Sequence, residues 1–546
     1  MSVAETVSPV EGAGKMSHRE VLEAMSGLLL AMFVAILSST VVTNALPRIV
    51  SDLHGTQTGY TWVLVATMLA MTATTPIWGK LADLFPKKLL MQLSLGVYLA
   101  GSALAGLAQS MGWLISARVI TGLGVGGVMA MMQIIMASLV SPRERGRYSG
   151  YIGASFGLAT LLGPLIGGLL VDSPLGWRGC FYVSLPVGII AFVVLQLKLH
   201  LPTIKRPVKI DYAGSFLLMG GVSVLLIWVS LAGQPTYFDW LSTTTVWMVL
   251  GALVLLAAAL VVEARFAAEP IIPLRLFRDR TIALATIAAV LVGITMLTAT
   301  TYLSEYFQDA RGMTPTHAGL MTLAMVVGLM LISIVSGRFI SATGRWKRWL
   351  VAGMVAVTIG SVLLATIDHG TPLWVVGAYM FILGCGLGAT SQNLILSVQN
   401  NVDQANIGAA SSVVAFFRTL GGAIGVSVFG AILSHQVISK VTHGVTSLIA
   451  GGVVTPAEAK SLNAGGVETS VKLPPALENL LESANGDATG HIFLFALPFA
   501  VIALITVLFI KEGRLRTTLD KIEEPEISMD LAAELEAGGV LRGSSK

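Results

Sequence analysis

Charge is what this sequence has least of. Only 12% of its 546 residues are Asp, Glu, Lys or Arg, about half the share of a soluble domain, which is near 25%. Length alone suggests several water-soluble domains; so little charge excludes them. Cysteine is nearly absent. Cys180 and Cys385 both lie in apolar stretches, which excludes a disulfide framework. The net charge of +4 is too small, and its cations too scattered in short clusters, to point to nucleic acid. No phosphate-binding loop of the form G-x-x-x-x-G-K-[ST] occurs, so no ATP-driven step is expected within the chain. His317, His369, His435 and His443 stand alone, and no His or Cys pairing has the spacing of a metal site. Neither a cofactor nor an enzymatic activity is expected. A cleavable leader is not expected either, because Met1 to Glu23 is polar, mixed in charge and too long before the first apolar run.

What the chain has is apolar runs. Residues 24–47, 53–79, 212–238, 240–262, 281–304 and 488–510 carry no formal charge. A helix needs about 20 such residues to cross a bilayer, and barrel strands are shorter and alternate in polarity. Fourteen spanning helices are expected, at 26–46, 60–80, 89–109, 112–137, 148–171, 179–198, 212–232, 244–263, 281–304, 318–339, 349–366, 373–396, 406–434 and 489–510. Lys and Arg cluster in alternate loops: Lys80, Lys87 and Lys88; Arg143, Arg145 and Arg147; Lys198, Lys205, Arg206 and Lys209; Arg265, Arg275, Arg278 and Arg280; Arg345, Lys347 and Arg348. These loops read as cytoplasmic, and an even count puts both termini there too. Loop 397–405 breaks the pattern, with Asp403 and no basic residue. Residues 435–488 read as an external loop rich in small residues, and the acidic-leaning tail as partly disordered.

The sequence repeats at long period. An offset of 258 maps Gly79 onto Gly337, Gly163 onto Gly421 and Gly167 onto Gly425; an offset of 262 maps Gly122, Gly124 and Gly126 onto Gly384, Gly386 and Gly388. Spans 1–6 therefore resemble spans 9–14, with spans 7 and 8 inserted between. The expected fold is an all-α membrane protein of two six-helix bundles plus two inserted helices, with a substrate site between the halves, as in transporters. The expected divisions are a segment 1–25, a first bundle 26–200, an inserted pair with its loops 201–280, a second bundle 281–512 and a tail 513–546.

Several residues carry chemistry. Asp83, in the loop after span 2, can accept from a helix N-terminus or pair with a cation. Arg118 lies inside span 4, where a charge is a functional candidate; the competing role is a structural arginine that snorkels outward or bonds to carbonyls. Gly163, Pro164 and Gly167 break and thin span 5, allowing close helix approach. Arg418 sits about 18 Å into span 13 and needs a partner or a wet cavity. Glu305, near the end of span 9, is the acid best placed inside a span, with an interfacial glutamate as the alternative. Candidates to line a cavity are Asn44, Gln133, Tyr151, Gln392 and Asn393, with the aromatics Trp62, Phe416 and Phe417, for which packing is the competing role.

The loop Gly79-Lys80-Leu81-Ala82-Asp83-Leu84-Phe85-Pro86-Lys87-Lys88 resembles the signature G-x-L-a-D-r-x-G-r-k of the major facilitator superfamily, with Leu84 and Pro86 departing from it. Arg118 with Gly122 and the following glycines resembles that family's motif l-x-x-x-R-x-x-q-G, with Thr121 for glutamine, and Gly163-Pro164 with Gly167-Gly168 its antiporter motif g-P-x-x-G-G. The segments 37–47, 176–186, 269–277 and 418–422 are similar to the fourteen-helix drug:proton antiporters, and the resemblance covers residues 25 to 512. It implies an Asp83 loop that holds the outward-facing state, an Arg118 tied to proton coupling, and proton-driven export of small amphipathic molecules across the plasma membrane. The rival readings are an exporter of one physiological cargo, such as a lipid, siderophore or self-made antibiotic, and a non-transporting scaffold, which would need neither Arg118 nor Arg418. One departure bears on coupling: Ser38 stands where the family usually has an aspartate.

Overall fold

The computed structural model describes residues 18–517 apart from 56, 172, 202–210, 234–236, 268, 452 and 456–473. The first half comprises α1 (His18–Asp52), α2 (Gln57–Leu84), α3 (Lys87–Gly106), α4 (Met111–Leu139), α5 (Pro142–Val171) and the paired α6 (Gly176–Tyr182) and α7 (Ser184–Lys198), which cross as one span. The inserted pair is α8 (Tyr212–Leu231) and α9 (Thr243–Arg265). The second half comprises α10 (Arg280–Glu305), α11 (Pro315–Met321) continued by α12 (Leu323–Thr343), α13 (Lys347–Leu364), α14 (Leu373–Asn400), α15 (Ile407–Ala450) and α16 (Pro475–Leu508). Fourteen of the described segments are long and apolar enough to cross a bilayer. The chain is an all-α membrane protein of two six-helix bundles with two helices between them.

Glycine sets the packing, because in lipid helices associate through close backbone contact rather than through exclusion of water. Gly122 and Gly126 of α4 lie on the backbone of α2 at Thr67 and Met71, while Gly124 lies on α3 at Tyr98. In the second half Gly384 and Gly388 of α14 lie on α12 at Met325 and Leu329, while Gly386 lies on α13 at Val357. The two triplets do the same job in the same order, which gives the weak sequence repeat a three-dimensional meaning. Gly163 meets Thr40 of α1, and its counterpart Gly421 meets Val290 of α10.

The described parts of the stretch 435–488, expected as a loop, are largely helical. α15 runs on to Ala450, and α16 already begins at Pro475. Hydropathy marks where a helix is greasy, not where it stops. Past the apolar part, side chains bond back one turn, His443 to the Ser439 carbonyl and Thr446 to that of Thr442, and no proline interrupts. Pro475 occupies the first turn of α16, where its missing N–H costs nothing. Lys440 and Asp487 pair at 2.8 Å and join the two extensions.

Candidate functional site

The halves meet most closely at the end where α2 and α12 finish and α15 and α5 begin. The Asp83 carboxylate, in the last turn of α2, accepts from the amides of Gly408 and Ala409, each at 2.8 Å. These are first-turn donors of α15, free of helical partners and at the positive end of its dipole. Gly79, one turn earlier, lies against Ser412 and the Gly408 carbonyl, leaving no space for a Cβ. So α2 is pinned to the start of α15 by backbone contact and a charge.

The same contact recurs across the pseudo-twofold. Ser341 is Asp83 displaced by the 258-residue offset. Its hydroxyl accepts from the Arg147 amide in the first turns of α5 at 3.1 Å, and Gly337 meets the Gly146 carbonyl. Arg143 adds bonds to the Ser341 and Ala342 carbonyls at the end of α12. One contact has a carboxylate, its twin a hydroxyl.

Arg145 is a site residue that the sequence does not distinguish from the other orienting arginines of its loop. It is 2% exposed and donates to the carbonyls of Val140 and Ala137 and, at 3.0 Å, to Gln399 Oε1 at the end of α14. Gln399 donates on to Ser411 Oγ at 2.8 Å. Four helices from both halves thus share one buried network. It also accounts for loop 397–405: Arg145 reaches its root, and Arg516 binds Asn400 and Val402, so cations from elsewhere in the chain serve a loop that has none.

Deeper in, Gln133 of α4 donates to Gln392 of α14 at 3.3 Å, joining two of the expected cavity residues across the halves. Asn393 is bonded to Ala389 of its own helix and is buried. Along α5, Gly146, Gly150, Gly153 and Gly157 form a stripe at helical spacing that faces α12, against Gly337, Ile334, Ser333 and Val326. The motif glycine Gly163 turns instead to α1, and Gly167 is buried further along α5.

Arg118 is buried, and among the described residues its guanidinium reaches only the Val63 carbonyl, at 3.5 Å. It acts electrostatically on Tyr98, whose hydroxyl donates to the Val34 carbonyl at 3.1 Å. No carboxylate pairs with Arg118 among the described residues. The usual helix 1 aspartate would belong to this neighbourhood; here it holds a serine, a tyrosine and an uncompensated arginine. Arg418 is half-buried and likewise has no acceptor among the described residues.

At the opposite end, α10 passes into a π-helical turn at Tyr306–Ala310, a form common at functional sites. Glu305 stands at that junction, half-buried and without a hydrogen bond among the described residues. It acts electrostatically on Tyr60 in the first turns of α2, so it lies near the other half; Trp62 is half-buried on the same helix as Tyr60. Arg311 grips the His369 and Thr371 carbonyls, and Tyr306 bonds to the Asp368 carbonyl at 2.7 Å. In that loop the Thr371 hydroxyl holds the Asp368 carboxyl below the usual carboxylate range.

Some expected cavity residues lie elsewhere. Phe416 is 3% exposed and packs with Phe417 against Phe277 and the inserted helix α8. These rings join α15 to the inserted pair, because aromatics bury most area where three elements meet. Tyr151 is 42% exposed and clusters with Tyr148 and His18 beside the start of α1. The side chains of Asn44 and Pro164 lie outside the described set. The inserted pair is tied down by a further contact: Lys80 of α2 pairs at 2.5 Å with Glu269, in the loop after α9.

The profile of the Major Facilitator Superfamily matches residues 28–426. The multidrug transporter protein MdtP of Bacillus subtilis is 32% identical over 92% of this chain and 95% of its own length. Efflux pump dotC of Dothistroma septosporum is 34% identical over 92% and 85%. Among solved structures, the proton:xylose symporter XylE superposes with a TM-score of 0.57 at 12% identity, covering 90% of this chain and 96% of that one, and the human organic anion transporter MFSD10 with 0.57 at 14%, covering 88% and 99%. Those two likenesses concern the fold alone. Two glycine-packed six-helix halves, clamped at one end by a carboxylate on a helix start and matched along most of their length by a family profile, make this chain a member of the major facilitator superfamily.

Proposed function

We propose that the protein exports small amphipathic molecules across the plasma membrane in exchange for protons, by alternating access between its halves. The observation that carries this reading is the paired contact of α2 with α15 and of α12 with α5. It closes one end with backbone-to-backbone packing and hydrogen bonds, and only contacts of this reversible kind can open and reseal in each cycle. With that end in the cytoplasm, as the basic loops argue, the state is outward-facing. The relatives named for multidrug transport and efflux support export over import, as does the Gly163-Pro164 motif.

Proton exchange is assigned to Glu305 rather than to position 38. Ser38 cannot titrate, whereas Glu305 lies near Tyr60 of the opposite half and has no hydrogen bond among the described residues. Arg118 and Arg418 provide fixed positive charge, Arg418 as a counter-ion for an anionic part of the substrate. Gln133 and Gln392, bonded to each other across the halves, line the substrate path on the side of the closed end.

The test is reconstitution into liposomes with an imposed pH gradient and a panel of fluorescent amphipathic cations and neutral compounds. Uphill substrate movement that collapses when the gradient is dissipated is the expected result. Equilibration at the same rate with and without the gradient would replace exchange by facilitated diffusion.

A further inference from the structure

We propose that the pocket where α12 turns into α13 binds the phosphate headgroup of an anionic phospholipid. The pocket has a volume of about 460 Å³ and is lined by Phe339, Thr343, Arg345, Arg348 and Trp349. Its two guanidinium groups have no hydrogen-bond acceptor and no carboxylate partner among the described residues. The lining contains no acid. The nearby Glu512 is engaged with the Lys347 amide at 3.0 Å, and the Lys347 ammonium with the Leu508 carbonyl. Two free planar cations converging on one recess suit a phosphate, which guanidinium binds in bidentate fashion.

Position selects a lipid over a soluble anion. The spans Thr316–Thr343 and Lys347–Leu364 end at this turn, so the pocket lies at headgroup level in the surrounding bilayer. Gly344, at φ +73°, makes the turn tight enough to set Arg345 directly after α12. Phe339 is 55% exposed, and its ring lies 5.6 Å from that of Trp349 at 31°. An aromatic wall on the membrane side, with cations at the rim, fits a glycerol backbone and the first part of an acyl chain below a phosphate.

The repeat supplies an internal comparison. The counterpart turn after α2 also forms a recess, lined in part by Lys87, Lys88 and Gln196. There the cations are occupied: Lys87 donates to Ser138 at 2.6 Å and Lys88 to the Gln196 carbonyl at 2.8 Å. Of the two recesses, the second has its charges free.

The test is native mass spectrometry of the purified full-length chain titrated with phosphatidylglycerol or phosphatidylcholine. The unaltered protein should prefer phosphatidylglycerol by roughly tenfold to thirtyfold, the effect of two basic contacts at a lipid surface. R345Q/R348Q should lose most of that preference; both side chains are exposed, so folding should be kept, as a thermal melt would check. R345K/R348K should retain part of it, and R19Q/R265Q, which removes the same charge elsewhere, should retain all of it. Equal loss in R19Q/R265Q, an unchanged preference in R345Q/R348Q, or complete displacement of the lipid by millimolar inorganic phosphate would each overturn the proposal.

Discussion

At the scale of single residues, the molecule is defined by charges placed without counter-charges. Arg118, Arg418 and Glu305 are each buried or half-buried, and none forms an ion pair among the described residues. Glu305→Gln keeps the shape and removes the titration. It should abolish substrate-driven proton flux, read with a pH dye trapped in proteoliposomes, while neutral substrates still bind. An unchanged pH dependence would exclude Glu305. Ser38→Asp is the complementary change. It would place a carboxylate near Tyr98 and Arg118, and gained uptake of organic cations into inverted vesicles is the expected outcome. Which residues were legible in the sequence follows from what the sequence can encode. Asp83 was legible as an acceptor for a helix start, because the motif sets an acid at the end of a helix. Arg145 was not, since three arginines in one loop all read as an orientation signal and only packing distinguishes the one that turns inward. For Phe416 and Phe417 the sequence leaves lining and packing both open, because the side of that helix facing the inserted pair is not encoded in its apolar pattern.

At the scale of elements, two pairs of helix ends and one glycine stripe decide how the halves move. A bond to a charged acceptor is worth about 1.5–3 kcal/mol, and one between neutral groups about 0.5–1.5. Asp83→Ala should therefore loosen the closed end by a larger factor than Ser341→Ala. The measure is the labelling rate of a cysteine at Gln133 by an impermeant thiol reagent, with Cys180 and Cys385 replaced. Equal rates in the two variants would mean that glycine packing, not the caps, holds this end. The stripe gives a second expectation. Gly157→Leu drives a side chain into Val326 and Met330, a contact between halves that must slide. Transport should fall by about fivefold or more while the protein level is kept, since overpacking costs about 1–3 kcal/mol. Membrane-crossing helices were legible because lipid demands apolar length. The helical extensions of α15 and α16 were not, because a helix in water needs no apolar run.

At the scale of the whole molecule, the internal repeat fixes the architecture and the basic loops fix its expected orientation. Tags at Arg345 should be cytoplasmic and tags near Val453 external, by protease protection in intact cells. The reverse outcome would invert the direction of transport. The architecture also has a mechanical side. α15 has 44 residues, roughly 66 Å at about 1.5 Å each, twice the hydrocarbon thickness of about 30 Å. One end is held by Asp83; the other stands well beyond the bundle, braced to α16 by Lys440 and Asp487. It is a lever with its fulcrum near the gate. A tilt of about 10° at the capped end swings the far tip by roughly 11 Å, so a rearrangement too small to see at the gate becomes a displacement easily resolved between two labels at the tip.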